Sequence, residues 1–172
     1  MSSKDQNLSS TEELNLDGSG LKIGIVTSEW NSEITDSLEK ACKVTLLDNN
    51  VLEEHIECIK VPGSFELPLG AKILLSKERL DAVICLGCVI KGETKHDQYI
   101  PAAVATAIAQ LNLLASKPII FGVLTPENME QAKDRAGGKH GNKGVEAATT
   151  AIRMAKLHNS ASTTNQSIGF NR

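Results

Sequence analysis

Short, β-branched apolar runs alternate with longer segments of helical spacing from residue 21 to residue 157. That alternation reads as parallel strands joined by crossover helices, because a parallel neighbour needs a dozen or more residues to return to the same sheet edge. Four strands are predicted, over residues 21–27 (LKIGIVT), 56–61 (IECIKV), 81–87 (DAVICLG) and 118–124 (PIIFGVL). Three are nearly solid apolar runs, as expected of strands covered by helices on both faces, whereas 56–61 alternates and lies nearer an edge.

Between the strands, Asn31 or Ser32 can cap a helix in which Ile34, Leu38, Ala41 or Cys42, and Thr45 or Leu46 recur at helical spacing. Residues 44–47 are β-branched enough to read as a strand, although a strand there would leave too little chain for a crossover. Further helices are predicted over 65–75, 101–115, 127–136 and 143–157, the second and last of these being Ala-rich. Residues 1–20 carry few apolar side chains and are expected to form a flexible arm, 21–158 a single domain, and the Ser/Thr/Asn-rich 159–172 a tail.

Composition narrows the function. With 172 residues and 41% hydrophobic side chains, the chain can bury one sizeable core. A net charge of −3 offers no field to hold a nucleic-acid backbone. No apolar run approaches the length of a membrane span, and the mean hydropathy is −0.14. The first 20 residues match neither a secretory nor a transit signal, so a cytoplasmic location is expected. Cysteines at 42, 58, 85 and 88 are too few for a disulfide scaffold and read as reduced.

Open parallel sheets bind ligands at the carboxyl ends of their strands, and the unusual residues collect there. The chain is only 3% aromatic, yet Trp30, Phe65 and Phe121 all fall at or near that edge, as if to stack on a flat ligand. Any one of them, taken alone, reads as a plug for the end of the sheet. The turn Gly92-Glu93-Thr94 leads from a strand into a helix and can hold an anion on its N–H groups and the Thr94 hydroxyl. His96 follows two residues later, with a side chain that moves protons near neutrality. His55, His140 and His158 read as ordinary residues. Residues 135–144 (RAGGKHGNKG) hold four glycines and four basic side chains, a flexible positive turn suited to a phosphate ester or to solvent alone. The pair Cys85 and Cys88 has metal or redox spacing, but no second such pair accompanies it.

The motifs VPGSFELP, GCVIKGETKH, PIIFGVLT and RAGGKHGNKG, in this order between residues 21 and 157, are similar to those of the lumazine synthase family. The resemblance implies a flavodoxin-like fold and the condensation of 5-amino-6-ribitylaminouracil with 3,4-dihydroxy-2-butanone 4-phosphate. The products are 6,7-dimethyl-8-ribityllumazine, phosphate and water, and no metal or organic cofactor is needed. It implies that Trp30 stands where the family stacks an aromatic on the pyrimidine, usually Phe. Ser64, Phe65 and Glu66 would hold the ribityl chain and ring, and Val89 and Ile90 the pyrimidine edge. Glu93, Thr94 and Arg135 would bind phosphate, and His96 would transfer protons. Phe121 and Lys143, on the pyrimidine and ribityl side, and Arg135 would come from the adjacent subunit of a pentamer, which a short helix-joining turn extends to a 60-subunit shell. Asp97-Gln98 follow His96 where the family more often has an aromatic-acid pair, so either Asp97 or a group elsewhere would orient the imidazole. The partners implied are small-molecule substrates, further copies of the chain, and riboflavin synthase, with neither nucleic acid nor membrane. Three rivals remain on the sequence: an enzyme that converts the lumazine to riboflavin, a non-catalytic flavin carrier, and a shell without catalytic duty.

Overall fold

A computed structural model describes residues 16–77, 79–93 and 96–166, and for 96, 97 and 162–166 the backbone alone. Its main sheet has four parallel strands, β1 (Ile23–Ser28), β2 (Ile56–Val61), β3 (Ala82–Cys88) and β4 (Ile119–Leu124), in the order β2-β1-β3-β4. Five α-helices fall among the described residues, α1 (Ser32–Asp48), α2 (Leu67–Lys77), α3 (His96–Ala115), α4 (Met129–Asp134) and α5 (Lys143–Gln166). The expected α/β/α sandwich is present, with β2 at an edge as its alternation predicts.

Successive strand side chains point to opposite faces, so each strand feeds two cores. On one face Ile23, Ile25, Ile84, Leu86 and Ile120 pack with Ile34, Leu38, Cys42 and Leu46 of α1 and with Ala147, Ala148, Ala151 and Ile152 of α5. On the other, Val26, Val83, Cys85 and Val123 pack with Leu67, Ala71 and Leu74 of α2 and Val104 and Ile108 of α3. The small residues of α5 let it lie close to α1. A Cβ on Gly144 would stand 2.0 Å from the Leu38 carbonyl oxygen, so only glycine permits that approach.

Residues 44–47 belong to α1 rather than to a strand, because burying Leu46 beneath Leu38 and Cys42 outweighs the β-propensity of Val44 and Thr45. Helix α3 begins five residues before the expected start, with Pro101 inside it. Proline near a helix N-terminus forfeits one backbone bond while its fixed φ suits the helix, so it marks the first turns and not always the first residue. Residues 64–66 form a 3-10 turn ahead of α2, and α4 is shorter than expected, starting behind the Asn128 side chain, which accepts from the Gln131 N–H at 2.9 Å. Helix α5 continues to Gln166 instead of ending at 157, with Asn159 donating to Asp81 at 3.0 Å. Of the expected arm, residues 1–15 lie outside the described residues, as do 167–172 of the tail. From Leu16 onward the chain joins the core, and the Gly18 N–H donates to the Asn49 carbonyl at 2.6 Å.

Candidate active site

The strand order reverses between β1 and β3. Helix α1 leaves β1 toward one face and α3 follows β3 on the other, which opens a crevice beyond the carboxyl ends of those two strands. Backbone bonds knit the loops around it. The N–H groups of Glu29 and Trp30 donate to the carbonyls of Val61 and Pro62, at 2.8 and 3.3 Å, fastening the loop after β1 to the loop after β2. Asn31 adopts a left-handed backbone (φ 59°, ψ 45°) from which its carbonyl accepts the first bonds of α1 while its Nδ2 donates to the Cys88 carbonyl at 2.9 Å. That single side chain bridges the crevice from β1 to β3.

The result is a cleft of about 600 Å³ lined by Trp30, Asn31, Ser64, Phe65, Glu66, Cys88, Val89, Ile90 and Gly92, with Ile100 of α3 behind them. Two aromatic rings stand in it largely uncovered, Trp30 at 73% and Phe65 at 61% exposure. What sets these two rings apart from the other exposed apolar side chains is that they share one cleft, where together they offer a face that a flat ligand could cover. Glu66 accepts from the Gly63 N–H at 3.0 Å through one carboxylate oxygen, which fixes the side chain and leaves the other oxygen for a hydroxyl. At the floor, a Cβ on Gly87 would lie 2.7 Å from the Ser64 hydroxyl, so glycine there lets Ser64 sit down between the strand ends.

The cleft thus brings together Trp30, Ser64, Phe65, Glu66, Val89 and Ile90, six of the residues singled out from the sequence. Glu93 is exposed in the loop beyond Gly92 and does not line it. Thr94 lies outside the described residues, and His96 is the first residue of α3, its side chain outside them. Phe121 departs from the expected trio of rings. It is the third residue of β4, paired with Cys85 and short of the strand's end, and β4 is separated from β1 by β3. Phe121 instead lines a second hollow of about 370 Å³ with Lys143, Glu146, Thr150 and Met154.

Arg135 belongs with this second group. It caps the C-terminus of α4, and the segment after it is no loose turn. Strands β5 (Ala136–Gly138) and β6 (Gly141–Asn142) form an antiparallel hairpin, closed by the Lys143 N–H on the Arg135 carbonyl at 2.9 Å. Gly137 and Gly141, at φ of 113° and 80°, serve the backbone of that hairpin. The Ser37 hydroxyl donates to the Ala136 carbonyl at 2.7 Å and anchors it on α1. The Arg135 guanidinium donates to the His140 carbonyl at 2.6 Å and to Glu146 at 2.5 Å, and Lys143 donates to the same carboxylate at 2.9 Å.

Sequence reasoning missed Asn31 as a wall of the cleft, and it missed Glu146. Asn31 was visible as a helix cap. Glu146 carried a signal in its spacing, three residues after Lys143 on one helical face. The cysteine pair does not behave as a reactive site: burial pushes the Cys85 thiol up to about 12 and the Cys88 thiol up to about 11, so both are protonated at neutral pH. Among the described residues, no cluster of His, Cys, Asp and Glu is grouped to hold a metal.

The 6,7-dimethyl-8-ribityllumazine synthase family matches the chain over residues 20–159. Proteins named 6,7-dimethyl-8-ribityllumazine synthase are similar to it along most of their length. That of Cytophaga hutchinsonii is 53% identical over 154 residues, 90% of this chain and 97% of the relative. That of Parabacteroides distasonis is 51% identical over 142 residues, covering 82% and 88%. That of Flavobacterium johnsoniae is 45% identical over 163 residues, covering 94% and 86%.

Proposed function

The chain belongs to the 6,7-dimethyl-8-ribityllumazine synthase family, and we propose that it performs the family's condensation in the cleft between β1 and β3. The enzyme is a transferase of the penultimate step of riboflavin biosynthesis. It joins 5-amino-6-ribitylaminouracil to 3,4-dihydroxy-2-butanone 4-phosphate and releases phosphate and water. The observation that carries the siting is the pair of uncovered rings, Trp30 and Phe65, held over one apolar-walled cleft with hydrogen-bonding groups at its rim.

In this reading the uracil ring stacks on Trp30, its polar edge meets the backbone at Val89 and Ile90, the ribityl chain runs along Ser64, Phe65 and Glu66, and Phe121 and Lys143 of a neighbouring copy close over the pyrimidine side. The exocyclic amine then attacks the ketone, protons move during imine formation, and β-elimination expels phosphate. His96, at the start of α3, is our candidate for the proton transfers. Arg135, with the backbone N–H groups of the turn at Glu93 and Thr94 and the Thr94 hydroxyl, takes the ester's phosphate, whose charge grows as it leaves. Holding two already reactive substrates in register can itself be worth about 7 to 11 kcal/mol.

We further propose that each site is shared between two copies of the chain in a ring of five, with twelve rings in a closed shell. Supporting this is the separation of the second group: Phe121, Lys143 and Arg135 stand apart from the cleft of their own chain. A neighbouring copy in a head-to-tail ring would bring that group against the cleft. Residues 21–158 serve as the catalytic domain. We place the protein in the cytoplasm, where its four free thiols would stay reduced. Riboflavin synthase, which consumes the product, is the proposed partner.

The test is to mix both substrates with the purified protein and follow product fluorescence and phosphate release. The reading requires both signals at equal rates. A flavin carrier would give neither, and a riboflavin-forming enzyme would consume the lumazine.

A further inference from the structure

Glu146 has no place in the chemistry above, yet among the described residues it is the one side chain bonded to both cations assigned to substrate. One of its oxygens accepts from Arg135 at 2.5 Å and the other from Lys143 at 2.9 Å. All three side chains are mostly sheltered, with exposures of 20% for Arg135, 28% for Lys143 and 19% for Glu146. Ion pairs at a fully exposed surface are worth little, but shelter and two charge-assisted bonds on one acceptor make this arrangement a fixed one.

The geometry also leaves room for substrate. A guanidinium carries five N–H groups in a rigid plane. The bonds to the His140 carbonyl and to Glu146 fall on its two terminal nitrogens and so fix that plane, while the other N–H groups have no acceptor among the described residues. The Lys143 ammonium likewise has three protons and gives one to Glu146. Glu146 sits in the first turn of α5, whose Gly144 lies against the Leu38 carbonyl, so its backbone has little freedom to shift.

We infer that Glu146 is a positioning residue for this reaction: one carboxylate holds the phosphate-binding and the pyrimidine-side cations at a set separation, with spare donors turned to the substrates. This rests on the roles proposed for Arg135 and Lys143. It differs from a competing role, in which the carboxylate would block both cations until a substrate displaced it. Positioning predicts that removing the charge weakens both substrates, and competition predicts that it strengthens them.

The experiment is Glu146→Gln in the full-length protein, which keeps shape and removes charge, with Glu146→Asp beside it. We expect Glu146→Gln to raise the KM of the phosphate ester about tenfold and that of the pyrimidine several-fold, with kcat changed less than about threefold. Glu146→Asp, which keeps the charge on a shorter stem, should recover part of both losses. Since Glu146 acts through Arg135, adding Glu146→Gln to Arg135→Ala should not raise the ester's KM further and should lower it in part, because the carboxylate that Arg135 no longer compensates is gone. Unchanged or lowered KM values in Glu146→Gln would overturn the inference. So would a fall in kcat alone accompanied by a lower melting temperature, the mark of a merely structural role. If Arg135→Ala by itself leaves the ester's KM unmoved, the assignment of Arg135 fails and takes this inference with it. If Arg135→Ala acts and Glu146→Gln does not, only the inference fails.

Discussion

Arg135→Ala is expected to raise the KM for the phosphate ester about a hundredfold, while the KM for the pyrimidine moves only a few-fold. Two effects add. The substitution removes the charge-assisted bonds to a dianionic phosphate, each worth about 1.5 to 3 kcal/mol. It also releases Glu146, now held by Lys143 alone, as a negative charge beside the phosphate's place. Arg135→Lys should recover only part of the loss, because an ammonium cannot span His140 and Glu146 and still offer a flat edge to phosphate. Steady-state kinetics with each substrate varied in turn reads the split directly. Equal losses for both substrates, or none for the ester, would remove Arg135 from the phosphate site.

The second large effect is expected at Trp30. Its ring is 73% exposed, so Trp30→Ala costs the fold little. Stacking of a heterocycle on an aromatic side chain is worth about 1 to 3 kcal/mol, and its loss should raise the pyrimidine's KM by about 10 to 100 times. Trp30→Phe restores a ring and should return KM to within a few-fold of the natural protein. A melting temperature that falls with Trp30→Ala, with KM unchanged, would mean that the ring is packing rather than platform.

How far the sequence could be read depended on whether a feature is local. Strands β1, β3 and β4 announce themselves because helices cover both of their faces and force continuous apolar runs. The cleft was legible for the same reason: Trp30, Ser64 to Glu66, and Val89 with Ile90 each follow a strand's carboxyl end, where any parallel sheet gathers its loops. Strand order is not local. Nothing in PIIFGVLT says that β4 lies beyond β3 from β1, and so the sequence alone groups Phe121 with rings it does not meet inside one chain. Residues 44–47 show a local preference overruled by distant burial, since only the packed face of α1 against α5 reveals why Leu46 belongs in a helix. The hairpin of β5 and β6 is too short to leave a periodic pattern, and four glycines suggested slack where there is a closed ladder. Glu146 could have been paired with Lys143 by spacing, but its bond to Arg135 exists only once that hairpin folds back.

In the proposed assembly, one site is built from the cleft of one copy and the cationic group of another. Co-expressing Trp30→Ala chains with Arg135→Ala chains tests it, because each variant spoils a different half. If the halves belong to different copies, random mixing in a ring restores about a quarter of the sites to the natural constitution. The mixed assembly should then turn over well above either variant alone, with the natural KM for both substrates in that fraction. Activity no greater than the average of the two separate variants would place Trp30 and Arg135 in the same copy's site and rule out a site shared between copies.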